Sequence, residues 1–198
     1  MKALPAMSHD SDWDLIARAQ GGDLNAFEAL VKRYEHPLVN FCQRMVGSQE
    51  DAQDIAQESF VRVYRYLDRL HPQAKFSTVL FGMARNLTLN FLRDQRRRGR
   101  DRLQSLVRDD DTERLVADEA YRPDRATHLR ELEALIQSAL AQLTPEHREV
   151  LVLRELHGMD YEAVAGIVGC RKGTVKSRLA RAREQLRIRL LEMGGELP

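Results

Sequence analysis

Apolar residues recur every three or four positions along almost the whole chain, and this spacing is what most limits the possible folds. Leu24, Phe27, Leu30, Val31 and Tyr34 show it near the N-terminus. Such spacing places side chains on one face of an α-helix, whereas a half-buried strand would alternate apolar and polar residues. Only 11 glycines and 6 prolines interrupt the 198 residues. The sequence therefore predicts an all-α fold.

Start and stop signals predict four helices in the first half of the chain. The first begins near Asp12 and ends at Gly21, and the second follows the capping residue Asp23. Pro37 lies inside the second helix, where we expect a kink or a break. The third and fourth helices are predicted over residues 48–70 and 75–100, the third ending before a His-Pro pair.

The periodicity weakens after residue 99, where the stretch "DDDTERLVADEAYRPD" is acidic and ends in a proline turn. We interpret this part as a flexible linker between two small helical domains. The predicted organisation is an N-terminal tail (1–10), a first domain (11–98), an acidic linker (99–125), a second domain (126–193) and a C-terminal tail (194–198).

The second domain contains the pattern of a helix-turn-helix. In "DYEAVAGIVGCRKGTVKSRL", Ala165 is the small residue where two helices meet, Gly169 fits the turn, and Val175 anchors the second helix. Leu179 and Ala182 continue the apolar stripe of that second helix. It is therefore predicted to be a recognition helix.

Positive charge is concentrated on this helix. Residues 169–190 hold eight basic residues against one acidic residue, Glu184, although the whole chain has a net charge of only +1. The alternative interpretation is a solvated surface helix, but such helices normally intersperse acidic residues. The one-sided charge favours DNA binding, with basic side chains on phosphates and polar side chains on base edges. The predicted contacts are Arg171, Lys172, Thr174, Lys176, Ser177, Arg178 and Arg181.

Composition excludes several other classes. Cys42 and Cys170 lie in different predicted domains without a metal-ligand pattern, which favours buried thiols in a reduced compartment. No run approaches the ~18 apolar residues of a membrane span. We expect a cytoplasmic protein with no membrane insertion, no cofactor and no metal site.

The two domains together resemble a known family. Residues 143–187, "LTPEHREVLVLRELHGMDYEAVAGIVGCRKGTVKSRLARAREQLR", resemble region 4 of the extracytoplasmic-function (ECF) sigma factors, a subfamily of the bacterial sigma-70 family. The stretches "GDLNAFEALVKRYEHPL", "EDAQDIAQESFVRVYRYL" and "KFSTVLFGMARNLTLNFLRDQRRR" resemble region 2 in the same order. The resemblance implies a factor that binds core RNA polymerase and directs it to promoters. It also implies recognition of the minus-thirty-five and minus-ten elements, strand opening, and control by an anti-sigma factor.

The resemblance assigns roles to residues of the first domain. It implies that the third helix docks on the clamp helices of the largest polymerase subunit, through Asp51, Asp54, Gln57, Glu58 and Arg62. From the residues alone, the alternative is a solvated acidic face. The implied minus-ten contacts are Lys75, Arg85, Asn86, Arg93, Arg96 and Arg97. The basic members are expected on phosphates and the amide of Asn86 on a base edge, although a solvent-facing role for Asn86 remains an equal alternative.

One position departs from the family pattern. The family shows an aromatic residue in an "FSTW" motif, whereas this chain has "FSTV" with Val79. We expect Phe76 or Phe81 to take over the packing there. The acidic linker is implied to follow the RNA exit path of the polymerase, and a plain tether is an equal alternative.

Two other functions remain open at this point. A stand-alone helix-turn-helix regulator would use the second domain but leave the first without a role. A nuclease would need Glu50, Asp51, Asp54 and Glu58 as metal ligands, but one helix face spreads them over ~12 Å at 1.5 Å per residue. We expect a sigma factor that performs no covalent chemistry.

Overall fold

The computed structural model describes residues 10–106 and 125–194, with side chains described over 10–98 and 131–194. Within these ranges every regular element is helical, which confirms the predicted all-α fold. The first domain comprises α1 (Asp12–Gln20), α2 (Leu24–Val46), α3 (Gln49–Arg65), a 3₁₀ turn (Leu67–Arg69) and α4 (Phe76–Leu106). The second comprises α5 (Arg125–Ala141), α6 (Pro145–Leu151), a π-type turn (Val152–Leu156), α7 (Tyr161–Val168) and α8 (Lys172–Glu192). Most of the predicted linker and both extreme termini lie outside the described residues.

Side-chain caps start the helices of the first domain. Ser11 and Asp14 form a reciprocal capping box at α1, and the carboxylate of Asp23 accepts backbone bonds at the start of α2. The apolar stripes then meet in a core that includes Phe41 and Phe81, whose rings pack edge to face at 5.5 Å. Phe76 is also buried, so both phenylalanines expected to compensate for Val79 lie inside.

Three predicted helix boundaries differ from the structure. α2 continues through Pro37, so no break occurs there. The lost backbone bond is tolerated because the next turn buries Leu38 and Phe41 completely. α3 ends at Arg65 and a 3₁₀ turn follows, whereas α4 extends to Leu106, so the predicted domain boundary at 98/99 falls inside a helix.

Helix α6 of the second domain begins with a side-chain cap followed by a proline. The hydroxyl of Thr144 accepts the backbone N–H of His147, and Pro145 occupies the first turn. The sequence predicts one helix up to Gly158, but the last turn widens to π geometry over Val152–Leu156. Such single π-type turns have no sequence signature of their own and often lie at functional sites.

The two domains do not stand apart. α4 packs against α7, and the end of α2 packs against α5 and α6. Buried residues of both domains, from Phe41 and Phe81 to Leu153 and Val164, belong to one continuous apolar cluster. The packing of the two domains against each other is not predictable from the helix pattern. It determines which surfaces of the protein are exposed to solvent.

Candidate nucleic-acid and polymerase interfaces

The helix-turn-helix has the predicted geometry. Asp160 caps α7 by accepting the N–H of Ala163 at 2.8 Å, and α7 ends at Gly169 with φ +68° and ψ +38°. This left-handed conformation favours glycine, because a Cβ would be strained there. α8 then begins at Lys172, and Val175 is fully buried as the anchor. The turn and the anchor predicted from the sequence are confirmed.

The outer face of α8 carries only part of the predicted set. Ser177 and Arg181 are exposed, four residues apart and opposite the buried Val175 and Leu179. The Lys176 ammonium lies 5.6 Å from the centre of the Tyr161 ring. Arg171 is exposed at the cap position. These four side chains form a solvent-exposed part of the predicted recognition surface.

The other predicted residues of α8 are either paired with a carboxylate or partly buried. Lys172 pairs with Glu162 at 2.8 Å, and this carboxylate raises the pKa of the lysine. Arg178 lies 3.9 Å from Glu149, and Thr174 is half-buried. The exposed Lys172–Glu162 pair is weak, and it can open when a phosphate competes for the lysine.

Acidic residues accompany most of the remaining arginines of the helix. Arg183 pairs with Glu155 at 2.5 Å, Arg187 with Glu184 at 2.7 Å, and Arg189 with Glu192 at 2.7 Å. By contrast, no ion pair to another described residue is formed by Lys176 or Arg181. The positive surplus of this segment is thus focused on its N-terminal half, where a recognition helix contacts base edges.

The predicted polymerase-docking residues lie on one side of α3. Asp54, Gln57 and Arg62 are exposed, and Asp51 and Glu58 are half-buried. Glu58 accepts the Nε–H of Arg62 at 2.7 Å, one helical turn away. The face is therefore acidic at its N-terminal end and partly neutralised at the other.

An apolar groove beside this face was not predicted. It has a volume of about 570 Å³ between α2 and α3 and is lined by Phe27, Val31, Phe60, Val61 and Gln57 among others. Tyr64, which lies on the apolar stripe of α3, is 47% exposed at the edge of the groove and packs on Phe27 at 5.0 Å. Tyr64 has the spacing of the apolar residues of α3, but none of the described helices covers it. The spacing alone does not predict whether another helix packs against a residue.

The predicted minus-ten residues of α4 fall into two groups. Asn86, Arg93, Arg96 and Arg97 are exposed. The guanidinium of Arg85 instead donates two bonds to Glu149 of the second domain, Nε to Oε2 at 2.7 Å and Nη2 to Oε1 at 3.1 Å. Lys75 pairs with Asp160 at 3.1 Å, also across the domains. In this arrangement the second domain supplies the counter-ions of Lys75 and Arg85.

The described residues give two further results. They contain no group of three His, Cys, Asp or Glu side chains placed to hold a metal ion, and Glu58 is engaged by Arg62. Among the helices described, none is both long and apolar enough to cross a membrane.

Comparison with known proteins identifies both domains. Residues 30–98 match the model of sigma-70 region 2, and residues 133–186 match that of sigma-70 region 4. The RNA polymerase sigma-H factor of Pseudomonas aeruginosa is 36% identical over 184 residues, covering 91% of this chain and 94% of that protein. The ECF RNA polymerase sigma-E factor of Haemophilus influenzae is 34% identical over 188 residues, covering 89% and 93%.

Solved structures agree over nearly the whole chain. CnrH, solved in complex with the cytosolic domain of CnrY, is 27% identical with a TM-score of 0.68, covering 93% of this chain and 99% of that one. The sigma factor RpoE, solved in complex with the anti-sigma factor NepR from Bartonella quintana, is 25% identical with a TM-score of 0.60, covering 83% and 96%. The chain therefore belongs to the sigma-70 family of RNA polymerase sigma factors and, within it, to the ECF subfamily.

Proposed function

We propose that this chain binds core RNA polymerase through α3, directs it to promoters through α8 and α4, and helps to open the DNA at the minus-ten element. The observation that carries the proposal is the presence of two chemically different surfaces on one chain. α8 presents an unpaired basic face suited to phosphates, and α3 presents an acidic face beside an apolar groove, which suits a protein surface and not a polyanion. A stand-alone regulator would have no use for the second of these surfaces.

The α8 surface is proposed to bind the minus-thirty-five element. Lys176 and Arg181 are exposed cations without an intramolecular counter-ion among the described residues, so phosphate contact costs them no existing ion pair. Arg171, Lys172, Thr174, Ser177 and Arg178 complete the proposed surface. Ser177 already donates to the carbonyl of Thr174 at 3.0 Å, so its hydroxyl oxygen is left as an acceptor for a base or phosphate donor.

Strand opening is proposed to follow from differential binding and not from covalent chemistry. A protein that holds the unpaired strand better than the duplex shifts the equilibrium toward the open complex. Asn86 is the proposed base-reading residue, and Lys75, Arg85, Arg93, Arg96 and Arg97 are proposed to hold the backbone. The protein would then act in the cytoplasm, because that is where a bacterium holds its core polymerase and its chromosome.

An anti-sigma partner is part of the proposal. RpoE of Bartonella quintana, whose fold matches this chain at a TM-score of 0.60, was solved with such an inhibitor. We expect a tagged chain recovered from its own cells under non-inducing conditions to carry one additional protein in near-equal amount. Recovery with polymerase subunits alone would contradict control by an anti-sigma factor.

In vitro transcription with core polymerase on a randomised promoter library tests the main proposal. We expect the purified chain to support transcripts from templates that share two sequence elements. Replacement of Lys176 or Arg181 by alanine should lower this transcription while leaving polymerase binding intact. Arg187→Ala is the matched control, because it removes a charge from the same helix that Glu184 already neutralises.

Replacement of both Asp54 and Glu58 should have the opposite pattern, with lost polymerase binding and unchanged fold. Glu28→Ala, which removes an exposed carboxylate paired with Lys32 on α2, is its control. Equal loss of polymerase binding in the α8 and α3 variants would contradict the assignment of separate surfaces. Specific duplex binding without polymerase, together with no transcripts when the chain is added to core polymerase, would favour the stand-alone regulator.

A further inference from the structure

Helix α1 carries none of the proposed contact residues, yet it is firmly attached to α2. Leu15 and Ile16 are buried on its inner face. At its N-terminal end, the Asp12 carboxylate accepts the hydroxyl of Tyr34 at 2.5 Å and a guanidinium N–H of Arg33 at 2.5 Å. A charged acceptor that binds two donors at once holds the helix in one orientation. Side chains at both ends of α1 therefore start from fixed positions.

The C-terminal end of α1 binds the 3₁₀ turn that precedes α4. The side-chain amide of Gln20 donates one hydrogen bond to the carbonyl of Leu67 at 2.8 Å and a second to that of Leu70 at 3.1 Å. A glutamine NH₂ group has two hydrogens, and both partners are carbonyl oxygens, so only this orientation of the amide satisfies them. The two bonds thus hold the end of a turn that lies 47 and 50 residues away in the chain.

A second path connects α1 to the other end of the same segment. The ring of Tyr34, whose hydroxyl bonds Asp12, packs edge to face on the ring of Phe76 at 5.4 Å. Phe76 is the first residue of α4 and is buried. Burial, together with the Asp12 carboxylate, raises the pKa of the Tyr34 hydroxyl, so it remains a donor at neutral pH. α1 is thus linked to both ends of the loop formed by residues 71–75.

Loop 71–75 lies among groups suited to a single strand. Its residues are exposed, and the last of them is Lys75, one of the proposed minus-ten contacts. Beside its entry, Tyr66 is 49% exposed, and the guanidinium of Arg69 lies 5.8 Å from the centre of the Tyr66 ring. Unpaired bases stack on exposed aromatic rings, and neighbouring cations attract their phosphates. The loop and its entry therefore offer contacts that a duplex, whose bases are already stacked, cannot use.

We infer that α1 positions this surface for strand opening, with Gln20 and Tyr34 as positioning residues that hold the two ends of loop 71–75. The inference rests on the proposed function, because it gives a role in minus-ten opening to a helix outside the contact surface. The physical reason is conformational entropy: a loop held at both ends has fewer conformations to lose when a strand binds. Loosening either end should weaken capture of the unpaired strand and leave polymerase docking on α3 unchanged.

Gln20→Met in the full chain tests the first of these contacts. Methionine has nearly the shape of glutamine but no donor, and Gln20 is an exposed residue at the end of α1, so the fold is kept. We expect holoenzyme with this variant to bind a single-stranded oligonucleotide of the selected minus-ten sequence roughly three- to tenfold more weakly, because an ordinary hydrogen bond changes an equilibrium by about that factor. Gln142→Met is the matched control. It removes an exposed amide that donates to the Met193 sulfur in the second domain, and it should change this binding by less than about twofold.

A pre-opened template separates strand opening from the other steps. On a duplex promoter, Gln20→Met should lower both transcription and the permanganate reactivity of the minus-ten thymines by a similar factor. On a template mismatched across the minus-ten element, at saturating holoenzyme, the variant should approach the transcription of the unmodified chain, because no base pairs remain to be opened. Binding of core polymerase should be the same for both chains.

Three results distinguish the possible failures. Unchanged single-strand affinity of Gln20→Met, or an equal transcription defect on the two templates, would overturn the positioning role. A parallel loss of polymerase binding would also overturn it, because α1 would then only stabilise the first domain. If the unmodified chain gives no transcripts with core polymerase on either template, it is the proposed function that fails.

Tyr34→Phe tests the other end of the loop. It keeps the ring on Phe76 and removes only the hydroxyl that Asp12 accepts, while Asp12 retains Arg33. We expect the same pattern as for Gln20→Met, with single-strand affinity lowered roughly two- to fivefold and polymerase binding unchanged. Unchanged single-strand affinity in Tyr34→Phe would overturn the link between α1 and Phe76, and with it the inference that α1 holds both ends of the loop.

Discussion

Replacement of Arg85 by methionine should destabilise the protein in a pH-dependent way. Methionine fills the space of the arginine stem but leaves the Glu149 carboxylate buried, and Arg178, at 3.9 Å, is then its one remaining cation among the side chains described. Removing one partner of a buried ion pair costs about 3–5 kcal/mol, because the remaining charge is left without compensation. The Arg178 guanidinium retains part of the attraction, so we expect a loss near the lower end of that range at pH 7.

The pH dependence follows from the direction of the Glu149 pKa. Burial raises this pKa above its ordinary value, while Arg85 is the main group that lowers it, so the variant raises it further. A buried carboxyl with a raised folded-state pKa destabilises the folded protein least when it is protonated. The stability that protonation provides is lost as the pH rises through the folded-state pKa. The deficit of the variant relative to the wild type should therefore shrink as the pH is lowered from 7 toward ~5.

Urea denaturation followed by far-ultraviolet circular dichroism, at matched pH values, measures this deficit. His157 does not obscure it, although burial lowers the pKa of its ring to about 4 and so costs stability as the pH falls from 6.5 toward 4. That contribution is common to both proteins and cancels in their difference. Arg93→Met is the matched control on α4, since Arg93 is exposed and bonds only Asn90 among the described side chains; its effect should stay within ~0.5 kcal/mol.

A deficit below ~1 kcal/mol at pH 7, or one that does not change with pH, would mean that water reaches the Glu149 carboxylate. The interdomain contact would then not be formed in solution. The double variant Arg85→Met with Glu149→Gln should recover most of the loss, because it removes the uncompensated charge.

Three further predictions concern the second domain and the thiols. Leu179→Ala should lower the free energy of unfolding by about 2.7–5 kcal/mol, because Leu179 is 1% exposed in the core under α8; a smaller loss in urea denaturation would contradict that burial. Gly169→Ala should lower the free energy of unfolding by about 1–2 kcal/mol, because the φ of Gly169 is +68°. Gly173→Ala, in open space within α8, should raise the free energy of unfolding by about 0.5–1 kcal/mol. Equal effects of the two substitutions would contradict the turn geometry. The partly exposed Cys170 should react with a thiol reagent in the native protein, whereas Cys42 should react only after unfolding, since burial raises the pKa of its thiol to about 12; mass spectrometry of labelled peptides distinguishes the two.

The local features of this protein follow from its sequence because they depend on nearby residues. Caps such as Asp23, Thr144 and Asp160 act within one helical turn, and the left-handed turn at Gly169 needs a residue without a Cβ. The buried stripe of α8 follows from the 3.6-residue period alone. These signals predicted the positions of the helices, apart from three boundaries and the π-type turn, and they predicted the helix-turn-helix and the outward position of Arg181.

What lies opposite each stripe was decided only by the tertiary structure. Tyr64 satisfies the helical period yet is 47% exposed, because no helix faces it across the groove. Arg85 fits the pattern of a phosphate-binding residue yet holds Glu149, which lies 64 residues away in the chain. Periodicity reports which side of a helix is apolar, but the identity of its neighbour depends on packing between distant segments, and it is that packing which pairs the two domains of this sigma factor.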